Sequence, residues 1–181
     1  MSRKKQSQWP KIGRSLKRYD QIELINLLKE VHDLSDETKL FLETRILQLP
    51  PSTSLKPYKN KLRKALQADP QYNDEIDWDT AEQVIMNYRL ASGDEEGLAE
   101  LLVYYVEVAN QFTLEYGDIN EDYYESVENS FQRAVDHLLS MDKTQIDKLK
   151  TRLKKVVDSA KNIGWGYHDT LTDIFYIGFG K

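Results

Sequence analysis

Leu98-Ala-Glu-Leu-Leu-Val-Tyr-Tyr-Val-Glu-Val-Ala-Asn-Gln-Phe-Thr-Leu-Glu-Tyr116 decides the fold class of this chain. Leu98, Leu101, Leu102, Tyr105, Ala109, Phe112 and Tyr116 recur at three- and four-residue steps, which only an α-helix aligns on one side. Val103, Val106 and Leu114 widen the stripe and leave Glu100, Glu107, Asn110, Gln111 and Glu115 as a narrow polar edge. A helix apolar over so much of its circumference is expected to be buried against several neighbours. Gly97 and Gly117 bracket it, and Asp94, Glu95 and Glu96 put negative charge at its start, where the helix dipole favours it.

Helical periodicity continues on both sides of this stretch. Asp20 opens a helix with Leu24, Leu27, Leu28 and Val31 inward, and Ser35, Asp36 and Glu37 start a second with Leu40, Phe41, Ile46 and Leu47 inward. Pro50-Pro51 ends the second, and the short link makes the two antiparallel neighbours. After Pro57 a basic helix spans 58–67 with Leu62 and Leu66 inward, followed by an acidic loop over 69–79. Asp79 and Glu82 form a capping box for a helix with Val84, Ile85, Tyr88 and Leu90 inward, closed by Gly93.

Beyond the central stretch, a helix from about Asn120 points Tyr124, Val127, Phe131, Val135 and Leu138 inward. Asp142 and Gln145 box the next, whose Ile146, Leu149, Leu153, Val156, Ala160 and Ile163 make a narrow seam with a Lys/Arg back. Gly164 and Gly166 break that helix before a final one over 167–177. No period-two run bounded by turn residues occurs. The expected fold is all-α: seven to eight antiparallel helices stacked as helical hairpins, a bundle or a short solenoid-like array. Tyr104-Tyr105-x-x-Val108-x-Asn110-x-Phe112 recurs as Tyr123-Tyr124-x-x-Val127-x-Asn129-x-Phe131, in keeping with stacking.

The length of 181 residues fits one domain with a tail: a flexible basic arm over 1–18 and a single helical domain over 19–181. The absence of cysteine excludes disulfides, thiolate metal sites and a cysteine nucleophile. No apolar run reaches a membrane span, and the basic start is followed by no apolar leader segment, so a cytoplasmic protein is expected. The net charge of −5 hides a segregation. Arg3, Lys4, Lys5, Lys11, Arg14, Lys17 and Arg18 stand without an acid in 1–18, residues 69–128 are acidic but for Arg89, and 143–161 is basic again. Such asymmetry speaks to partners or self-docking, the arm on the acidic belt, rather than to fold.

Motifs that carry chemistry are few. Asp118-Ile119-Asn120-Glu121-Asp122 begins like a calcium loop, but Tyr123 stands where a sharp turn needs Gly and Asn129 where a bidentate Glu belongs. It reads as capping at a helix start. His32, His137 and His168 have no zinc-type spacing, and there is no phosphate loop or dinucleotide fingerprint. No catalytic residue, metal ligand or cofactor site is therefore assigned. His168 with Asp169 and Asp173 is the one place for a metal-dependent or acid–base enzyme, and the arm with Trp9 and Tyr19 is the one place for nucleic acid. The acidic body repels a phosphate backbone, so nucleic acid ranks below a protein partner.

The least ordinary composition is Gly164-Trp165-Gly166-Tyr167-His168-Asp169. Gly164 can end a helix in a left-handed cap, Trp165 can fold back over its last turn, and Asp169 can cap the final helix. With the aromatic tail Leu171, Ile174, Phe175 and Tyr176 and the Leu-rich hairpin over 22–47, this box resembles that of an uncharacterised bacterial all-helical family of unknown function. The resemblance implies an all-helical fold and no activity. The expectation is a non-enzymatic interaction or scaffold module that binds another protein and does not engage a membrane, with Trp165, Tyr167, His168, Asp169 and Asp173 as candidate binding residues.

Overall fold

Helix α6 (Glu95–Tyr116) buries thirteen residues, from Gly97 to Thr113. It packs against α4 (Pro51–Leu66), α5 (Trp78–Ser92), α7 (Glu121–Leu139) and α8 (Lys143–Ser159). The computed structural model describes residues 7–67, 76–117 and 119–180, and of 143–145 only the backbone. Among the described residues it is all-helical, with nine helices and no strand. The remaining helices are α1 (Trp9–Leu16), α2 (Gln21–Leu34), α3 (Asp36–Leu47) and α9 (Tyr167–Phe179). They pack as two compact units, Met1–Leu47 and Gln48–Lys181. That division falls after α3, whereas charge alone set the boundary after residue 18.

In the second unit each helix meets its successor, and α4 with α6, α6 with α8, and α7 with α9 also touch. The inward rows are those the periodicity marks: Leu62 and Leu66, Val84, Ile85 and Tyr88, Tyr124 to Leu138, and Ile146 to Ala160 are all buried. Trp78 packs on Tyr105 and Tyr123, with ring centroids 6.4 and 5.5 Å away, and ties the start of α5 to α6 and α7.

Several local expectations are corrected. Asn110 is buried rather than part of a polar edge, while Leu114, one turn further along the same side, is exposed near the end of the helix. Tyr116 is also exposed, although its ring still packs on Phe112 at 4.7 Å. Leu90 is exposed because it lies about 200° around the helix from Tyr88, and Ala81 and Ala91 fill the core instead. Pro57 lies inside α4, which begins at Pro51, where a missing N–H costs nothing. The cap of α5 is Asp77, accepting from Thr80 N at 2.9 Å, and Glu82 instead takes Arg133. Most of the acidic loop (residues 68–75), Asp118 and the Gln145 side chain lie outside the described residues. At the calcium-like stretch, Asn120 caps α7 by accepting from Tyr123 N at 2.9 Å.

In the first unit, α2 and α3 pair as a hairpin, joined by Ser35 alone. Asp20 and Glu23 form a reciprocal capping box at the start of α2. Leu24, Leu27, Leu40 and Phe41 are half-buried, as expected of an inward stripe, but Leu28, Val31, Ile46 and Leu47 are exposed. Two helices cover only one side of each other, so the wide apolar arcs exceed what the hairpin can hide. In the expected arm, Trp9–Leu16 forms a helix despite Pro10 and Gly13, since Pro10 sits in the first turn; it buries no residue. Arg3, Lys4 and Lys5 lie outside the described residues.

Gly97 sits inside the first turn of α6 rather than bracketing it. Tyr88 Oη donates to Asp94 Oδ2 at 2.9 Å directly above it, and a Cβ on Gly97 would fall 2.0 Å from that hydroxyl. Helix propensity alone makes Gly97→Ala a gain of about 1 kcal/mol. The expected outcome is instead a loss of about 1–3 kcal/mol in denaturant unfolding, because Tyr88 must leave its cap partner.

Candidate interaction surfaces

The box with the unusual composition forms the turn between α8 and α9. Ala160 closes α8, Ile163 N donates to Ala160 O, and Tyr167 N donates to Gly164 O as α9 begins. The left-handed residues are Trp165 (φ +61) and Gly166 (φ +72), not Gly164. Gly adopts that region freely; a bulky aromatic does not, at a cost of roughly 1–2 kcal/mol. Trp165 does not fold away into the core over α8: it is 57% exposed.

Tyr167 anchors the turn. It is fully buried, its ring 5.0 Å from that of Tyr124, and its hydroxyl donates to Asn110 Oδ1 at 3.3 Å. Asn110 Nδ2 in turn donates to Ser159 Oγ at 2.9 Å, at the end of α8. Burial pushes the Tyr167 phenol well above its ordinary range, so it stays a neutral donor. Asn110, read from the sequence as surface, is thus the polar residue of α6 that holds the turn in place. Beside it a groove of about 350 Å3 is lined by Thr113, Leu114, Gly117, Ser159, Asn162, Ile163 and Gly164.

His168 is half-buried, with Nδ1 3.5 Å from Asp169 Oδ1 and Nε2 3.5 Å from Thr172 Oγ1. Asp169 and Asp173 are exposed on α9. Among the described residues, no three His, Asp or Glu side chains are grouped to hold a metal ion. Of the five residues singled out, the structure therefore presents Trp165, Asp169 and Asp173 at the surface, half-covers His168 and uses Tyr167 as support. No helix among the described residues is long and apolar enough to cross a membrane.

A second surface, missed from the sequence, belongs to the α2–α3 hairpin. Leu28, Lys29 and His32 face Leu42, Glu43, Ile46 and Leu47 across an apolar groove of about 510 Å3. His32 Nε2 lies 3.4 Å from Glu43 Oε1 and Lys29 Nζ 2.6 Å from Asp33 Oδ2, which keeps charge at its rim. The signal was present: α2 and α3 are apolar on more sides than one partner covers. Leu28, Ile46 and Leu47, expected inward, line this groove instead.

Also missed was a cross-helix ion network in the second unit. Arg152 of α8 donates to both oxygens of Glu107, at 2.7 and 2.6 Å, and to Glu100 at 2.5 Å; Lys59 of α4 takes the other Glu100 oxygen at 2.5 Å. Arg63 donates to Tyr104 Oη at 2.9 and 2.7 Å. The acidic edge of α6 and the basic back of α8, both read as solvated, neutralise each other here. Comparison with family models, curated proteins and solved structures finds no match to this chain.

Burial pushes the Glu100 carboxyl up, but Lys59 and Arg152 outweigh it and hold it below its ordinary value. The pair's contribution is therefore complete above the unfolded pKa of about 4.3 and is lost as pH falls through the lower, folded pKa. Arg152→Met is expected to cost about 1–3 kcal/mol at neutral pH, with the two stability curves converging only in acid below the usual carboxylate range. Curves parallel down to that range's lower side and beyond would remove the network from the stability of the fold.

For Trp165, backbone strain and an exposed ring set the expectation. Trp165→Gly should shift stability by no more than about 1 kcal/mol in either direction, relief of strain offsetting lost contacts. A loss of about 3 kcal/mol in thermal unfolding would mark a buried indole instead.

Proposed function

We propose that this protein is a non-enzymatic interaction module that docks another protein through its N-terminal helical hairpin. The observation carrying this reading is the hairpin's uncovered apolar surface: Ile22, Ile25, Leu28, Leu34, Ile46 and Leu47 are each more than half exposed. Among the described residues of α2 and α3, Thr44 alone is buried. Exposed apolar surface of this kind marks a protein contact, and among the described residues no helix is long and apolar enough to cross a membrane. Helices presenting an apolar groove suit a helical partner, read by residues one turn apart. The exposed Trp165 turn is a second contact point on the other unit, with Asp169, Asp173 and the edge of His168 as its polar rim. The reading assigns no cofactor or metal and places the protein in the cytoplasm.

Site-specific photo-crosslinking in cells that make the protein tests it. A benzophenone amino acid at Leu28 or Ile46 is expected to give discrete protein adducts, of any identity, and at exposed Lys161 none. Adducts absent from both hairpin positions, or equal at Lys161, would overturn the reading.

A further inference from the structure

We propose that the occupant of the hairpin groove is the hairpin of a second copy of this chain, the two closing into an antiparallel four-helix bundle. This rests on the docking reading above and names its partner.

Each helix of the hairpin carries apolar residues beyond those its partner covers. On α2, Leu24 and Leu27 are half-buried toward α3, whereas Leu28, one turn on from Leu24, is exposed, as are Ile25 and Ile22 further around the helix. On α3, Leu40 and Phe41 are half-buried, whereas Ile46 and Leu47 are exposed. Leu28, Ile46 and Leu47 line one groove, so exposed aliphatic side chains of both helices open on the same face. A pair of helices has no interior of its own; a bundle needs a further layer to enclose one. The same hairpin supplies a layer of matching length and matching apolar width.

Charge gives the register. Lys29 and Glu43 line the same groove from opposite helices. A twofold axis parallel to the helices lays α2 of one copy over α3 of the other, with every neighbouring helix antiparallel. Residues that face each other across the groove of one copy then meet at the same height between copies. Lys29 approaches Glu43 of the second copy, and the contact occurs twice, as an isologous interface requires.

The test uses the purified full chain in sedimentation equilibrium over a micromolar concentration range. Wild type is expected at twice the chain mass. Leu28→Glu and Ile46→Glu should each weaken association by about a hundredfold or more while leaving the helical circular dichroism unchanged. Lys29→Glu and Glu43→Lys should each weaken it alone, by like charge across the axis. Mixed in equal amounts, those two variants should recover a dimer, because the carboxylate introduced at 29 meets the amine introduced at 43 and the native pair is retained on the other side. Misfolding of a single variant cannot produce that rescue.

A wild-type monomer throughout overturns the inference, as does a dimer indifferent to both core glutamates. If the chain is monomeric and the photo-crosslinks join Leu28 to a different protein, self-association fails while the docking reading stands. If no crosslink forms at all, both fail.

Discussion

A helix apolar over most of its circumference has to be surrounded, and the second unit of this protein is the consequence of that requirement. Glu95–Tyr116 meets four other helices because thirteen of its 22 residues are buried and its exposed positions cluster at its two ends. The neighbours need only narrow seams, which is what α7 and α8 carry in Phe131, Val135 and Leu138 and in Leu149, Leu153 and Val156. Its few polar positions are then placed where partners can satisfy them. Asn110 bridges Ser159 and Tyr167, and Thr113 donates to Gly117 O while accepting from Tyr124.

Those satisfied positions link the core to the candidate surface at the α8–α9 turn. Tyr167 is locked from below by Asn110 and Tyr124, so the turn is rigid enough to hold Trp165 in a left-handed conformation it would not choose. Local strain of this sort persists when the surrounding packing over-determines the backbone. The exposed indole on a fixed turn offers apolar contact area at low entropic cost.

Charge is arranged on the same logic. The basic run over 143–161 and the acidic run over 69–128 look, in one dimension, like surfaces for outside partners. Folding brings Arg152 between Glu100 and Glu107, Lys59 onto Glu100 and Arg133 onto Glu82, so much of the asymmetry is settled within the second unit. The first unit carries wide apolar arcs on α2 and α3 and, among the described residues of those helices, buries only Thr44.

The sequence by itself determined the fold class, the identity of the central helix and nearly every inward row of the second unit. Those are one-dimensional properties: period, width of the apolar arc, and the chemistry of caps such as Asp94 and Asn120. It did not determine which positions on an apolar arc are covered. Leu28, Ile46 and Leu90 satisfy the same spacing as buried neighbours, and only the number and placement of surrounding helices tells them apart. It did not reveal that Asn110 is interior or that Glu100 and Arg152 meet, because residues 49 to 57 positions apart become neighbours only through packing. Periodicity is a property of one helix, and both candidate surfaces are properties of how many helices stand beside it.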